Sequence, residues 1–233
     1  MIPIRDTAPC NSTPWTTWSI MAICIVLFGI LYLIPDDKSY GILNLYGMVP
    51  IRYSQGWVGY DGLPFDGYLS FVTNLFLHAN WWHLLMNMWF MWIFADNIED
   101  RMGHLPFLGF YLLCGVFATI LQWYFDPNLM VPVVGASGAI AGVLGAYFFL
   151  YPLERVVVWV PLLFLPIVVH VPAIVFLGLW IILQLHDATT SVVFDNVPVD
   201  VAWWAHLGGF IAGSLLHPLF LRGNHQANEQ SQL

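Results

Sequence analysis

Charge is what this sequence lacks most. Of 233 residues only 9% are charged, 6 Lys or Arg and 14 Asp or Glu, where a soluble domain carries about 25%. So thin a polar coat cannot cover a water-facing surface when 59% of the residues are apolar, and lipid is the solvent that removes the conflict. The few basic residues form no cluster and the formal charge is −8, which argues against nucleic acid and anionic lipid headgroups as partners. Cysteine is also scarce. Cys10, Cys24 and Cys114 are scattered and the last two lie inside apolar runs, so neither a disulfide framework nor a CxxC metal pattern can be built. No HExxH or other ligand spacing links the histidines, and no metal or other cofactor is expected. Finally, no composition shift marks a linker. The chain reads as an N-terminal segment (1–14), one membrane domain (15–221) and a polar tail (222–233) expected to be disordered.

What is present is a series of apolar runs. A helix crosses a hydrocarbon core of about 30 Å in about 20 residues. Six spans are expected: Trp15–Ile34, Trp82–Ala95, Pro106–Phe125, Ser137–Tyr151, Val156–Leu185 and Ala205–Leu221. The first is too long for a signal peptide core and has no small-residue cleavage site after it. The fifth is too long for one straight helix and is broken by Pro161, Pro166 and Pro172. Its first half is expected to be interfacial or re-entrant, with the span proper starting near Pro172. A loop including Pro35 to Gly67, with Trp57, Phe65 and the following Tyr68, has the composition of a structured segment lying partly in the interface. With the N-terminus inside, Arg5, Arg101, Arg155 and Arg222 are cytoplasmic and only Lys38 and Arg52 are not. That arrangement follows the positive-inside rule.

Polar residues are rare inside these spans, and three groups stand out. His83 and Asn87, four apart, share one helix face at the start of the second span. Gly135-Ala136-Ser137-Gly138 opens the fourth, and Ala205-His206-Leu207-Gly208-Gly209 opens the sixth. Each has an ordinary structural explanation when taken alone. Small residues and Ser are routine at close helix crossings, and an isolated His or Asn serves as an interhelical hydrogen bonder. A lone GxSG is therefore weak.

Depth joins the three. All head even-numbered spans, which run in the same direction. Ser137 lies 17 residues before Glu154, His206 16 before Arg222 and His83 13 before Asp96. At about 1.5 Å per residue these positions are roughly 20–26 Å above the inner boundary of a core of about 30 Å. Packing residues with unrelated tasks have little reason to share one outer plane.

A serine hydroxyl needs a base within hydrogen-bond reach, and imidazole has a suitable proton affinity near neutrality. The charge on a tetrahedral intermediate needs donors, for which His83, Asn87 and the Ser137 amide are available. No Asp or Glu lies within the spans to orient His206, so a Ser137–His206 dyad is expected in place of a triad.

In order along the chain, His78-x4-His83-x3-Asn87, Gly135-Ala136-Ser137-Gly138 and Ala205-His206-Leu207-Gly208-Gly209 resemble the motifs of the rhomboid intramembrane serine protease family. Asn97-Ile98-Glu99-Asp100-Arg101-Met102-Gly103 resembles the loop after that family's second span, and the likeness runs from about Tyr46 to Leu221. The resemblance implies an all-α membrane protein, a six-helix bundle with a membrane-embedded first loop and a mobile fifth helix. It implies Ser137 as nucleophile, His206 as general base, and His83, Asn87 and the Ser137 amide as oxyanion hole. His78 would be a structural or water-positioning residue, and Gly135, Gly138 and Gly209 supporting positions in the close packing. Substrates would be single-span or polytopic membrane proteins, cleaved near the outer face at a helix-destabilised stretch. A bacterial inner membrane is the expected location.

One position departs from the pattern. Some family members carry an aromatic residue four after the serine, packed on the histidine; here it is Ala141. Trp203 or Trp204 is the candidate replacement. Gln122 and Gln184 read as interhelical or interfacial hydrogen bonders. Two other functions compete: a transporter, which would need polar residues through the inner halves of the spans, and an inactive relative that binds membrane clients. The near absence of such residues opposes the first, and the presence of both Ser137 and His206 opposes the second.

Overall fold

The computed structural model describes residues 2–56, 67–162, 165–193 and 201–222. In chain order the elements are β1 (Ile2–Arg5), α1 (Trp15–Leu33), α2 (Asp36–Tyr46), α3 (Pro50–Ser54), α4 (Ser70–Thr73), α5 (Trp81–Met102), α6 (His104–Phe125), α7 (Ser137–Leu150), β2 (Arg155–Leu162), β3 (Leu165–Pro172), α8 (Ala173–Val193) and α9 (Trp203–Phe220). Among the described residues, three helices are long and apolar enough to cross a membrane: α1, α6 and residues Ala173–Ser191 of α8, with mean hydropathies of 2.1, 1.8 and 1.5. α7 is apolar but has only 14 residues. It is buried on every side from Gly138 to Tyr147, so its surroundings are other helices and it needs no lipid-facing length of its own.

Loop residues bring alternate helix ends together. At one end the wholly buried Glu99 carboxylate caps α1: Oε2 accepts from the Thr17 N–H at 2.7 Å and its hydroxyl at 2.7 Å, and Oε1 from the Thr16 N–H at 2.8 Å. The unsatisfied N–H groups and positive dipole of a helix start make it a natural partner for a buried carboxylate. α5 ends where Gly103 adopts φ +87 and its N–H returns to the Glu99 carbonyl. The Arg222 N–H, just past α9, donates to the Arg101 carbonyl at 3.0 Å. At the other end the Ala205 N–H at the start of α9 donates to Gln122 Oε1 of α6 at 3.1 Å.

The fifth apolar stretch divides at Pro172, as its prolines suggested. Residues 155–172 pair as two antiparallel strands, registered from Arg155↔Pro172 to Leu162↔Leu165. β-branched residues favour a pleated strand, and Val156, Val157, Val158, Val160, Val168, Val169 and Val171 supply them. β1 adds a third antiparallel strand through Ile2↔Trp159 and Pro3↔Val158. The all-α expectation is therefore corrected: the protein is mainly helical and carries a small β1–β2–β3 sheet. This sheet ties the N-terminal segment to the bundle. The Trp89 indole of α5 donates to the Pro3 carbonyl at 2.7 Å, and the Tyr147 hydroxyl of α7 donates to Asp6 at 2.5 Å.

Helix limits also shift. α5 continues about two turns beyond the expected end at Ala95, and α8 begins at Ala173, next to Pro172. In the first loop, α2 and α3 occupy Asp36–Tyr46 and Pro50–Ser54. Trp57, Phe65 and the tail from 223 lie outside the described residues.

Candidate active site

α7 and α9 approach backbone to backbone. A Cβ built at Gly209 would overlap the Gly138 carbonyl oxygen, and one at Gly213 would overlap that of Gly142. Gly138 in turn faces Ala118 of α6 and Ala205 of α9. No side chain fits at these crossings, so Gly209→Ala must push α9 away from α7. The expected cost is about 1–3 kcal/mol of stability, measurable as a lower unfolding temperature in detergent and accompanied by loss of whatever chemistry spans the two helices.

Each residue singled out in the sequence has a definite place. Ser137 is the first residue of α7 and half-buried. His206 is the fourth residue of α9, 9% exposed. The two flank the Gly138–Ala205 contact, but no hydrogen bond joins their side chains. His83 and Asn87 lie one turn apart in the first two turns of α5, whose start is capped by Asn80 Oδ1 accepting from the His83 N–H at 2.9 Å.

Gly135 connects these residues to the serine loop. It adopts φ +125, and a Cβ there would meet His83 Cε1 at 2.5 Å, press equally on His83 Nε2 and lie 3.5 Å from Asn87 Nδ2. Only glycine lets the backbone two residues before Ser137 pass so close to both side chains. The Gly135 N–H is held by the Asn74 carbonyl at 2.8 Å, and Asn74 Nδ2 is anchored to Thr119 Oγ1 of α6 at 2.9 Å. A bridge between Met48 and Val133 fastens the first loop to the same segment.

Three side chains there, Asn74 through its Oδ1, Asn87 and His78, have buried polar atoms without partners among the described residues. Asn87 Nδ2 has none, and neither ring nitrogen of His78, 1% exposed, has one. Leaving a buried donor unpaired costs about 1–3 kcal/mol, and such groups are usual where a ligand or water is to be met. The His78 ring lies 5.2 Å from that of His83 at 70°. His78 also lines a cleft of about 520 Å³ with Tyr32, Asp36, Ser39, Asn80 and Trp81.

The surroundings of His206 contain what the sequence reading missed. Its Nδ1 is 2.5 Å from Gln184 Oε1 of α8. The Trp180 ring, also from α8, lies 6.0 Å from the imidazole at 34°, and the Trp203 ring lies 5.9 Å away, edge-on at 86°. Of the two tryptophans considered as replacements at Ala141, Trp203 is beside His206. Trp204 instead stacks on Phe125 at 4.0 Å. Ala141 itself is fully buried in α7. A polar residue in an otherwise apolar helix was the available pointer to Gln184, but which group its amide meets depends on how α8 packs on α9.

These features define a multi-pass helical membrane protein with a serine, an imidazole and buried amide donors gathered at one end of the bundle. The chain belongs to the rhomboid family: residues 66–223 match the Rhomboid domain. It is 28% identical over 209 residues to "Rhomboid protein 1, mitochondrial" of Saccharomyces cerevisiae, which covers 85% of this chain and 51% of the yeast protein. It is 36% identical over 114 residues to "Putative rhomboid protease YdcA" of Bacillus subtilis, or 47% of this chain and 57% of that protein. With "Rhomboid protease GluP" of the same bacterium it shares 28% over 142 residues, 60% of this chain and 25% of the other. The chain thus spans about a quarter to somewhat over half the length of these relatives.

Proposed function

We propose that this rhomboid is an intramembrane serine endopeptidase that cleaves transmembrane segments of membrane proteins near the outer face of the bilayer. In this reading α1, α5, α6, α7, α8 and α9 are the six spans and the N-terminus is cytoplasmic. The end that carries Arg5, Arg101, Arg155 and Arg222 faces inward, in keeping with the positive-inside rule. The observation that carries the proposal is the buried, unpaired Asn87 Nδ2 beside the Gly135 backbone, two residues before Ser137. A buried donor without a partner among the described residues, near a potential nucleophile, is what a developing oxyanion requires.

Ser137 is then the nucleophile. His206 Nε2 takes the hydroxyl proton as Oγ attacks the scissile carbonyl, and returns it to the leaving amine. His83, Asn87 and the Ser137 N–H stabilise the tetrahedral oxyanion. Water then hydrolyses the acyl-enzyme, with His206 again as base. The names of two relatives, both called rhomboid proteases, support the same chemistry.

A fluorophosphonate probe tests the nucleophile directly. It should label the detergent-solubilised protein at Ser137, and Ser137→Ala should abolish labelling. Labelling that survives this substitution would refute the assignment.

A further inference from the structure

From the contact between α8 and α9 we infer that Gln184 is the positioning residue that fixes the tautomer and orientation of His206, so that the base is competent only while α8 is packed on α9. The inference rests on the protease reading and adds a third group, on a third helix, to the Ser–His pair.

The geometry leaves few choices. Gln184 Oε1 is an acceptor with no proton to give, so across the 2.5 Å contact the His206 Nδ1–H donates. A neutral imidazole carries one N–H, which leaves Nε2 unprotonated and able to accept from a serine hydroxyl. With 8% of Gln184 and 9% of His206 exposed, bulk water has little access to compete for this bond. Trp180, one turn earlier on α8, packs near both His206 and Phe210, holding the helix pair in register. In serine proteases with a triad a carboxylate does this work, and the wrong tautomer costs about 10⁴ in turnover. A neutral amide serves the same orienting function without placing a charge in a low-dielectric site.

Three elements must then meet at once: α7 brings Ser137, α9 brings His206, and α8 brings Gln184. Any displacement of α8 away from α9 removes the acceptor and leaves Nδ1 and Nε2 to share the proton. The orientation of His206 and the packing of α8 on α9 are thereby coupled through one hydrogen bond.

Opposite substitutions separate orientation from packing. Gln184→Leu and Gln184→Met keep the volume and remove the acceptor, whereas Gln184→Glu keeps an acceptor in either protonation state and removes the amide donors. The measurements are cleavage of a single-span model substrate reconstituted in vesicles, probe labelling at Ser137, and the ¹⁵N spectrum of His206. If Gln184 orients the base, the Leu and Met variants lose about 10–100-fold in kcat with KM nearly unchanged. The Glu variant retains activity within about threefold of the parent, and the parent spectrum shows Nδ1 protonated and Nε2 not. Activity retained by Leu and Met but lost by Glu would assign Gln184 to packing and overturn the inference, as would an Nε2-protonated ring in the parent. The nucleophile assignment is judged separately: absence of Ser137-dependent labelling in the parent protein removes the protease reading, whereas normal parent labelling with unaffected Leu and Met variants removes only the role of Gln184.

Discussion

His206→Ala is expected to reduce cleavage of a single-span substrate by at least about 10³-fold while leaving the helical bundle assembled. The loss is large because the imidazole acts twice, as base toward Ser137 and as acid toward the leaving amine. The bundle stays assembled because the α7–α9 crossing is made by Gly209 and Gly213 against the Gly138 and Gly142 carbonyls, not by the imidazole. His206 is nonetheless buried and bonded to Gln184, so truncation should lower the unfolding temperature, with a cost of about 1–3 kcal/mol, while circular dichroism stays near that of the parent protein. Full cleavage by a folded His206→Ala protein would remove the dyad.

The second large effect concerns Asn87. Asn87→Ala should lower kcat about 10²–10³-fold with little change in KM, the usual loss when one oxyanion donor is deleted. Stability is expected to move the other way or not at all. Asn87 Nδ2 is buried and unpaired in the resting protein, so removing it relieves a desolvation cost of about 1–3 kcal/mol, partly offset by the cavity left behind. An active variant, or one whose inactivity is accompanied by unfolding, would count against a donor role. Together the two variants test opposite ends of one reaction, proton transfer and charge stabilisation.

Much of this site was legible because it sits at the start of helices that share a direction. Counting residues to the first charge at the far end of each span gave Ser137, His206 and His83 similar expected heights, and a helix converts count to height with little freedom. His83 and Asn87 followed from the period of the helix. Gln184 was legible only in part. The prolines already put the start of its span near Pro172, and α8 begins at Ala173, 11 residues before Gln184. Which group its amide meets depends on how α8 packs on α9 and could not be read from one helix. Trp203 and Trp204 were indistinguishable by sequence because adjacent helical residues point about 100° apart, and only the positions of α6 and α9 decide which meets His206.

Composition and periodicity by themselves marked the chain as a membrane protein and singled out the polar groups at the starts of its apolar runs. Those properties depend on local chain geometry and on the thickness of a bilayer. Tertiary structure decided the rest. It turned 155–172 into a hairpin, because its valine-rich strands pair with each other and with Ile2–Arg5. It also placed an amide from α8 on the imidazole of α9, since a hydrogen bond between helices depends on how they pack and not on either helix alone.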